Sequence, residues 1–323
     1  MNTQQNPLIV SVGIVAHNHV NYIARAIESV LHQKVSFAID LIIFDDASSD
    51  GTAEIIEKYQ KDYPDIIRIF LQKEKKGQVA IARELASEMK GKYSAWLDAD
   101  DFWTYHGKLQ CQIDFLEQNS DYTACFHDAM IKSSVATEPN ALPTAIQQAH
   151  DKYRYYSQFN TYSPDFYPHN LLRRNIIPTA SLVFRNRDFM PFFNSFHLPP
   201  YSFSWALQLF IIRQSRFYYF NRCWSVYLDH TEGFSKKQSA DSFSLNNVRI
   251  LKSLLKDNYY KRFKNKIYLS IAAEYDCIIY QPSDGKYVRE YARKSQAAYF
   301  KAWWWSAIYY LMETIHSLFV SKK

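Results

Sequence analysis

The first hundred residues alternate between short apolar runs and stretches with helical spacing. Apolar runs cover residues 8–15, 38–44 and 93–97, and each is followed by polar residues. After the first run, apolar side chains from Ile23 to Leu31 recur at the spacing of one helix face. Runs that are apolar on both faces are typical of a parallel sheet covered by helices. The pattern therefore predicts an α/β fold with a mostly parallel sheet.

Three carboxylates follow the run 93–97 directly: Asp98, Asp100 and Asp101. Carboxylates this close repel one another unless a cation or hydrogen-bond donors neutralise them. Mg²⁺ usually binds through one or two carboxylates together with substrate phosphates. An Asp-x-Asp at the carboxyl end of a buried strand therefore predicts a site for a metal and a diphosphate, although an acidic turn would have the same composition.

A second acidic pair and a polar tip favour the metal and diphosphate site over the acidic turn. Asp45 and Asp46 follow the run 38–44, and Ala16, His17 and Asn18 follow the run 8–15. In open α/β sheets, ligands bind beyond the carboxyl ends of the strands. We therefore expect the three strand ends to converge on one crevice.

In their order along the chain, these motifs resemble the inverting glycosyltransferases of family 2. The matching segments are Ser11–Asn18, Ile42–Thr52, Gly77–Arg83 and Trp96–Trp103, and weaker matches reach residue 235. The resemblance implies the GT-A fold, a Rossmann-like α/β architecture. Its mixed, mostly parallel sheet has helices on both faces, and here a C-terminal helical region would follow.

The resemblance also implies roles for the matching residues. The nucleotide-sugar would contact a set spread over the strand ends and the third helix: Ala16, His17, Asn18, Asp45, Asp46, Gly77, Arg83, Asp98 and Asp100. Asp98 and Asp100 would also hold a divalent metal, Mg²⁺ or Mn²⁺, that neutralises the departing diphosphate. The resemblance also makes Asp101 a candidate catalytic residue. The alternatives are that Asp46 is a plain turn acid and Arg83 a solvated helix charge, but the ordered set of motifs favours the functional roles.

The acceptor side departs from the family pattern. The family carries an acid beside an aromatic residue to deprotonate the acceptor hydroxyl, and Ser204 stands at that position beside Trp205. A serine hydroxyl has no accessible pKa for general-base catalysis. The nearest alternatives along the chain are His197, Asp229, His230 and Glu232.

The resemblance implies transfer of a sugar, with inversion, from a nucleoside diphosphate donor that we expect to be UDP-linked. The acceptor would be a hydroxyl of a glycan or a lipid-linked glycan, as in polysaccharide and cell-envelope biosynthesis. Ser204 leaves open a non-catalytic module that binds a nucleotide-sugar or a glycan. A sugar-phosphate nucleotidyltransferase also presents acids to a metal, but it would need a glycine-rich loop where residues 16–19 have none.

Composition argues against several other classes of protein. The 323 residues include only seven glycines and contain neither a dinucleotide-binding nor a P-loop glycine motif. The four cysteines match neither a zinc pattern nor a small disulfide scaffold, which favours a reducing, cytoplasmic compartment. Residues 1–7 show no signal peptide. We expect no nucleic-acid partner.

Charge separates the end of the chain from the rest. Residues 236–323 carry 16 Lys and Arg against 7 Asp and Glu, a net charge of +9, whereas residues 1–235 carry −3. The boundary predicts a glycosyltransferase domain at 1–235, with a nucleotide-sugar half at 1–120 and an acceptor half at 121–235. Residues 236–323 would form a basic helical region.

The tryptophan-rich segment 301–323 allows two interpretations. Aromatic residues flanked by lysines are typical of a helix lying on an anionic membrane surface, which predicts peripheral contact with the inner face of the membrane. Alternatively, Trp304, Ile308, Leu311 and Ile315 form a stripe that packs the helix onto the catalytic domain.

Residues 133–175 form an irregular stretch rich in proline and aromatic residues. Long loops over a crevice are often functional, so this stretch is a candidate lid over the acceptor. Aromatic side chains also dominate ordinary cores, so core packing is the alternative.

Overall fold

The computed structural model describes residues 9–133, 154–159, 163–195, 198, 202–230, 233, 239–280 and 288–320. Within these residues the strands are β1 Ile9–Ala16, β2 Ala38–Asp45, β3 Ile67–Leu71, β4 Tyr93–Asp98, β5 Phe102–Trp103, β6 Tyr122–Ser133, β7 Arg154–Tyr155, β8 Asp165–Phe166, β9 Val183–Arg185 and β10 Arg216–Asp229. The helices are α1 Ile23–Leu31, α2 Thr52–Asp62, α3 Gln78–Glu88, α4 Lys108–Gln118, α5 Pro168–Leu171, α6 Met190–Ser195, α7 Phe203–Ile211, α8 Ala240–Leu254, α9 Lys264–Ile279 and α10 Val288–Val320.

The strands form one mixed sheet in the order β3-β2-β1-β4-β9-β6-β10-β5, with β7 beside β6 and β8 beside β10. The first four strands are parallel, as the apolar runs predicted. Their side chains are buried between helices, and Val12, Ile14 and Leu41 are fully inaccessible to solvent. Helix α3 lies so close to β1 that a Cβ on Gly13 would stand 2.7 Å from the Leu85 side chain.

The register of the parallel strands aligns their carboxyl ends. Ala16 pairs with Asp45 on one side of β1, and Val15 pairs with Asp98 on the other. Neighbouring strands lie about 4.8 Å apart, so the three polar tips lie side by side on one edge of the sheet.

Strand β10 brings a distant part of the chain to the same edge. It runs parallel to β6 and antiparallel to the short strand β5, where Val226 pairs with Phe102. Since β5 begins directly after Asp101, the end of β10 lies beside the acids that follow β4. The backbone N–H of Leu228 donates to Asp101 Oδ1 at 3.1 Å.

The chain divides into two compact units. The first contains the sheet and comprises Met1–Tyr167, Ile176–Ser195 and Phe210–Gly233; the second comprises Pro168–Asn175, Phe196–Leu209 and Phe234–Lys323. The sequence placed one boundary at residue 235, which is close to the last of these division points. Two earlier segments, 168–175 and 196–209, were predicted in the acceptor half and fall in the second unit.

In the second unit, α9 packs against both α8 and α10. Trp304 and Leu311 on α10 are 54% and 59% exposed, which argues against the interpretation that their stripe packs the helix onto the catalytic domain. Ile308 is half-buried, and the side chain of Ile315 lies outside the described part of the chain. In the described helices there is no segment that is both long and apolar enough to span a bilayer.

Candidate functional site

The first polar tip is tied to the second by hydrogen bonds. The backbone N–H of Asn18 donates to Ser48 Oγ at 2.8 Å, and the Asn18 side-chain oxygen accepts from the Ser49 N–H at 2.9 Å. Asn18 and Ala47 have φ angles of +58° and +57°, which non-glycine residues rarely adopt. Strained backbone of this kind concentrates at functional sites. The two tips therefore form one rigid rim on the carboxyl edge of the sheet.

The carboxylates of Asp45 and Asp46 are buried and bound by hydrogen-bond donors. Asp45 accepts from the Ser48 N–H at 2.9 Å and from the Ser48 hydroxyl. Asp46 accepts from the N–H groups of Lys76 at 2.6 Å and Gly77 at 2.9 Å. Gly77 has a φ of +88°, which favours glycine and lets this loop turn toward the carboxylate. The two bonds use half of the roughly four acceptor positions of Asp46.

His17 joins the same loop to the first tip. Its Nδ1 lies 2.7 Å from the carbonyl oxygen of Asp46, which can only accept, so Nδ1 carries the proton. Its Nε2 therefore accepts from Lys75 Nζ at 2.8 Å. Lys75 is exposed and places a positive charge beside the strand ends. Sequence reasoning missed it, because a lysine-rich loop is usually an ordinary solvated surface.

Asp98, Asp100 and Asp101 differ sharply from the first acidic pair. Burial, followed by the charge of Asp100, raises the pKa of Asp98 to about 7, although Thr179 donates a hydrogen bond to it. Burial, followed by the charges of Asp100 and Asp98, raises the pKa of Asp101 well above its usual range. Among the described residues, Asp101 Oδ2 has no hydrogen-bond partner. A cation would relieve both the desolvation and the repulsion.

His230 joins this acidic group from the end of β10. Its Nε2 lies 2.9 Å from Asp100 Oδ2, and its Nδ1 lies 3.4 Å from the Tyr22 hydroxyl. Burial lowers the pKa of the nearby His19, against the opposing charge of Asp100. The sequence offered His230 only as a substitute base, whereas the structure places its imidazole against Asp100.

Asp229 lies on the other side of the same strand end. It forms an ion pair with Arg154 at 3.4 Å. Burial is the main cause that raises the pKa of Tyr156. The Tyr227 hydroxyl and the charges of Asp101 and Asp229 raise it further. Tyr156 packs edge-on against Tyr227 with ring centroids 5.7 Å apart.

Parts of the predicted acceptor side lie outside the described residues. These are residues 134–153 and 160–162 of the candidate lid, together with His197 and Glu232, two of the alternative bases. The lid and these two alternatives stay predictions.

Arg83 and Gly77 stand at opposite ends of the first turns of α3. Gly77 precedes the helix and binds Asp46, whereas the Arg83 guanidinium is exposed and donates to Asn194 Oδ1 at 2.6 Å. The guanidinium also lies 6.0 Å from the centre of the Phe193 ring. Its contact with a phosphate stays a prediction.

Ser204 belongs to the second unit, where its Oγ lies 3.3 Å from the Asn175 side-chain nitrogen that donates to it. An acid that sequence reasoning missed lies in the same unit. Glu274 on α9 accepts from Asn247 at 3.0 Å, and Asn247 accepts from the Ser202 hydroxyl at 2.7 Å. Burial raises the pKa of Glu274. In the sequence, Glu274 lies within a mostly apolar helical stretch, which gave no sign of its hydrogen bond with Asn247 or of the bond between Asn247 and Ser202.

Across the described part of the chain, no cluster of three or more His, Cys, Asp or Glu side chains forms a metal cage. The carboxylate oxygens of Asp98 and Asp100 are available as donors at the edge of the sheet. Oxygen donors of this kind suit Mg²⁺ and Mn²⁺.

Comparison with known proteins agrees with this architecture. The chain is 38% identical over 119 residues to the putative teichuronic acid biosynthesis glycosyltransferase TuaG of Bacillus subtilis, covering 36% of this chain and 45% of TuaG. The chain spans about half the length of the curated relatives it matches.

Solved structures share the fold. S. aureus TarS 1-349 in complex with UDP-GlcNAc has a TM-score of 0.59 at 13% identity, covering 90% of this chain and 89% of TarS 1-349. The mannosyltransferase PcManGT from Pyrobaculum calidifontis, in complex with GDP-Man and Mn²⁺, has a TM-score of 0.55 at 13% identity, covering 93% and 86%. The predicted GT-A fold is confirmed. The model of the family described as glycosyl transferase family 2 matches residues 11–178, and this chain belongs to that family.

Proposed function

We propose that this chain transfers a sugar from a nucleoside diphosphate donor, UDP-linked, to a hydroxyl of a glycan or a lipid-linked glycan. The observation that carries the proposal is the group formed by Asp98, Asp100 and His230 beside the joined tips of β1 and β2. The UDP-GlcNAc complex of TarS and the name of TuaG support the donor and a role in polysaccharide biosynthesis.

The joined tips would bind the nucleoside. Backbone groups of Ala16, His17 and Asn18 would lie against the base, and the acceptor positions left on Asp46 would take N–H or hydroxyl groups of the nucleoside. Lys75, held by His17, would lie near the diphosphate, where a cation lowers the cost of bringing in negative charge. Arg83 would approach the phosphates by exchanging its bond to Asn194.

The second acidic group fits a divalent cation, Mg²⁺ or Mn²⁺. Asp98 and Asp100 would hold it, and His230 orients Asp100. A cation there would offset the desolvation and the carboxylate repulsion that raise the pKa values of Asp98 and Asp101. The bound cation would supply positive charge for the departing nucleoside diphosphate. The Mn²⁺ in the PcManGT structure supports this choice.

Inversion would follow from direct attack of the acceptor oxygen on the anomeric carbon, with the C–O bond to the diphosphate breaking as the new bond forms. A base must take the acceptor proton, and such a base contributes about 10²–10⁴-fold to rate. With Ser204 at the position of the family's acid, transfer would be slow unless another group accepts the proton. Ser204→Asp would then raise turnover without changing the affinity for UDP.

Ser204 also supports a second candidate, a module that binds nucleotide-sugars without catalysis. Incubation of the purified protein with Mn²⁺ and UDP-sugars separates the two, because an enzyme releases UDP by transfer or slow hydrolysis. The expected result is metal-dependent UDP release that Asp100→Ala abolishes. UDP binding without any release, with and without glycan acceptors, would favour the binding module. Absence of metal-dependent UDP binding would overturn both.

We further propose that the protein works at the inner face of the cell membrane as a peripheral protein. Its four cysteines are free, as in a reducing compartment. The basic balance of residues 236–323 supports attraction to anionic lipid headgroups.

A further inference from the structure

Helix α10 has two faces of opposite character. Ser295, Ala298 and Ala302 are buried, and α10 packs on α9 in this unit. At 100° per residue, these positions centre on one line along the helix. The broad face directed away from this line carries large side chains that are more than half exposed: Phe300, Trp303, Trp304, Tyr310 and Leu311, at 63%, 64%, 54%, 74% and 59%. We call these five residues the outer stripe.

The outer stripe is not what a packed helix presents to water. Single exposed apolar residues are common on protein surfaces, but five large ones on a single helix face form a contiguous patch. Trp305 and Tyr309, by contrast, lie toward the packed side and are held there. Lys264 Nζ sits 3.8 Å from the centre of the Trp305 ring, and the Tyr309 hydroxyl donates to the Lys261 carbonyl at 2.7 Å.

Positive charge continues along the same face. Arg289 and Arg293 precede Phe300 by three turns and two turns, which places them in line with the outer stripe, and both are exposed. Lys301 is also exposed, with Nζ 5.5 Å from the centre of the Tyr268 ring. Exposed cations therefore stand at one end and along one side of an aromatic stripe.

We infer that the outer stripe docks onto an anionic lipid bilayer, with the aromatic rings at the headgroup level and Arg289 and Arg293 bound to lipid phosphates. Tryptophan and tyrosine favour this level because each has an apolar body and a polar N–H or O–H group. Each Arg or Lys near an anionic lipid surface adds to the attraction. A second copy of this chain would instead bring another basic unit to the stripe, and the like charges would repel. The inference locates the membrane contact proposed above and does not depend on sugar transfer.

The test uses the full-length protein and two kinds of vesicle, phosphatidylcholine alone and phosphatidylcholine mixed with phosphatidylglycerol. Sedimentation should show binding to the mixed vesicles that weakens as salt is added. Trp303→Ser with Trp304→Ser should lower the partition coefficient at least about tenfold, because both rings lose their contact with lipid. Arg289→Gln with Arg293→Gln should cause a loss of about tenfold or more at low salt, and little further loss at high salt.

Tyr63→Ser is the matched control, since Tyr63 is an exposed aromatic residue of the first unit at 42% exposure. It should bind vesicles like the parent chain. Circular dichroism and UDP binding of every variant show that the fold and the donor site are intact, so failure of sugar transfer does not bear on this test. Equal vesicle binding by the parent and the tryptophan variant would overturn the inference. So would a parent chain that binds no vesicles and forms a dimer that the tryptophan variant does not form.

Discussion

Two acidic strand ends on the same edge of the sheet have opposite electrostatic situations. At the end of β2, Asp45 and Asp46 each accept two hydrogen bonds, from N–H and hydroxyl donors in nearby loops. At the end of β4, Asp98 is half-buried and Asp101 is buried, both beside Asp100 with few hydrogen-bond donors, and their pKa values rise. Hydrogen-bond donors therefore compensate the first pair, whereas few donors compensate the second group.

The difference shows that an acidic pair after a strand has no single meaning. At β2 the carboxylates organise backbone, and Asp46 holds the loop that begins α3. At β4 few donors reach the carboxylates, so a cation would stabilise them. Each of the following variants replaces one charged side chain at, or close to, these two strand ends.

The largest effect is expected from Asp100→Ala or Asp98→Ala. Either change should weaken UDP binding in the presence of Mn²⁺ by more than about a hundredfold, since loss of a ligand exceeds the 10–100-fold cost of losing an outer-shell partner. Titration calorimetry with Mn²⁺ and with EDTA measures the difference, and Asp62→Asn on the exposed side of α2 is the control. Unchanged, metal-independent affinity in both variants would contradict the metal assignment.

Asp46→Asn should destabilise the protein by about 1–3 kcal/mol, because Lys76 and Gly77 donate to different carboxylate oxygens and the amide would turn one of these acceptors into an NH₂ donor. UDP affinity should fall with and without metal, as the loop before α3 loosens. Urea denaturation measures the free energy of unfolding. If stability and UDP affinity both match the parent protein, Asp46 does not hold the loop.

Asp101→Asn should stabilise the protein, whereas Asp46→Asn should destabilise it. The pKa of Asp101 is higher in the folded state than the usual value near 3.9, so the folded protein holds a proton that the unfolded chain loses, and stability falls as pH rises above about 4. The amide of asparagine does not titrate, so the variant does not lose stability in this way as pH rises. In EDTA, the variant should exceed the parent protein by about 1 kcal/mol or more at pH 8, and the gain should shrink toward pH 5. A less stable variant at pH 8 would show that Asp101 is ionised and satisfied.

Lys75→Met should have the smallest effect. Lys75 is exposed, so its loss should weaken UDP binding only about three- to tenfold at low salt, and the difference should shrink as salt rises. The fold and the metal dependence should remain, because His17 keeps its bond to Asp46. Lys73→Met, in the same loop, is the matched control, and equal losses in both variants would assign the effect to general charge.

The parallel half of the sheet and its tips could be predicted from the sequence. The runs 8–15, 38–44 and 93–97 form β1, β2 and β4 within a residue or two, because side chains that are apolar on both faces favour a covered parallel strand. The family resemblance reinforced these assignments through motifs that lie at the strand ends.

The contact between His230 and Asp100 could not be predicted, since 130 residues separate them and the pairing of β5 with β10 brings them together. Lys75 was missed for a similar reason, because its link to His17 crosses 58 residues. The sequence also left both faces of α10 open, and only packing against α9 decided which tryptophans are exposed.

By itself the sequence determined where the strands end, which residues follow them and that the last 88 residues are basic, because these properties are local. The tertiary structure decided which acids are satisfied. Asp46 receives its N–H donors from a loop 30 and 31 residues away, and Asp101 receives one from Leu228. The charge state of a buried carboxylate depends on the donors and charges that the fold brings within a few ångströms, and these are set by strand pairing and loop packing rather than by neighbours along the chain.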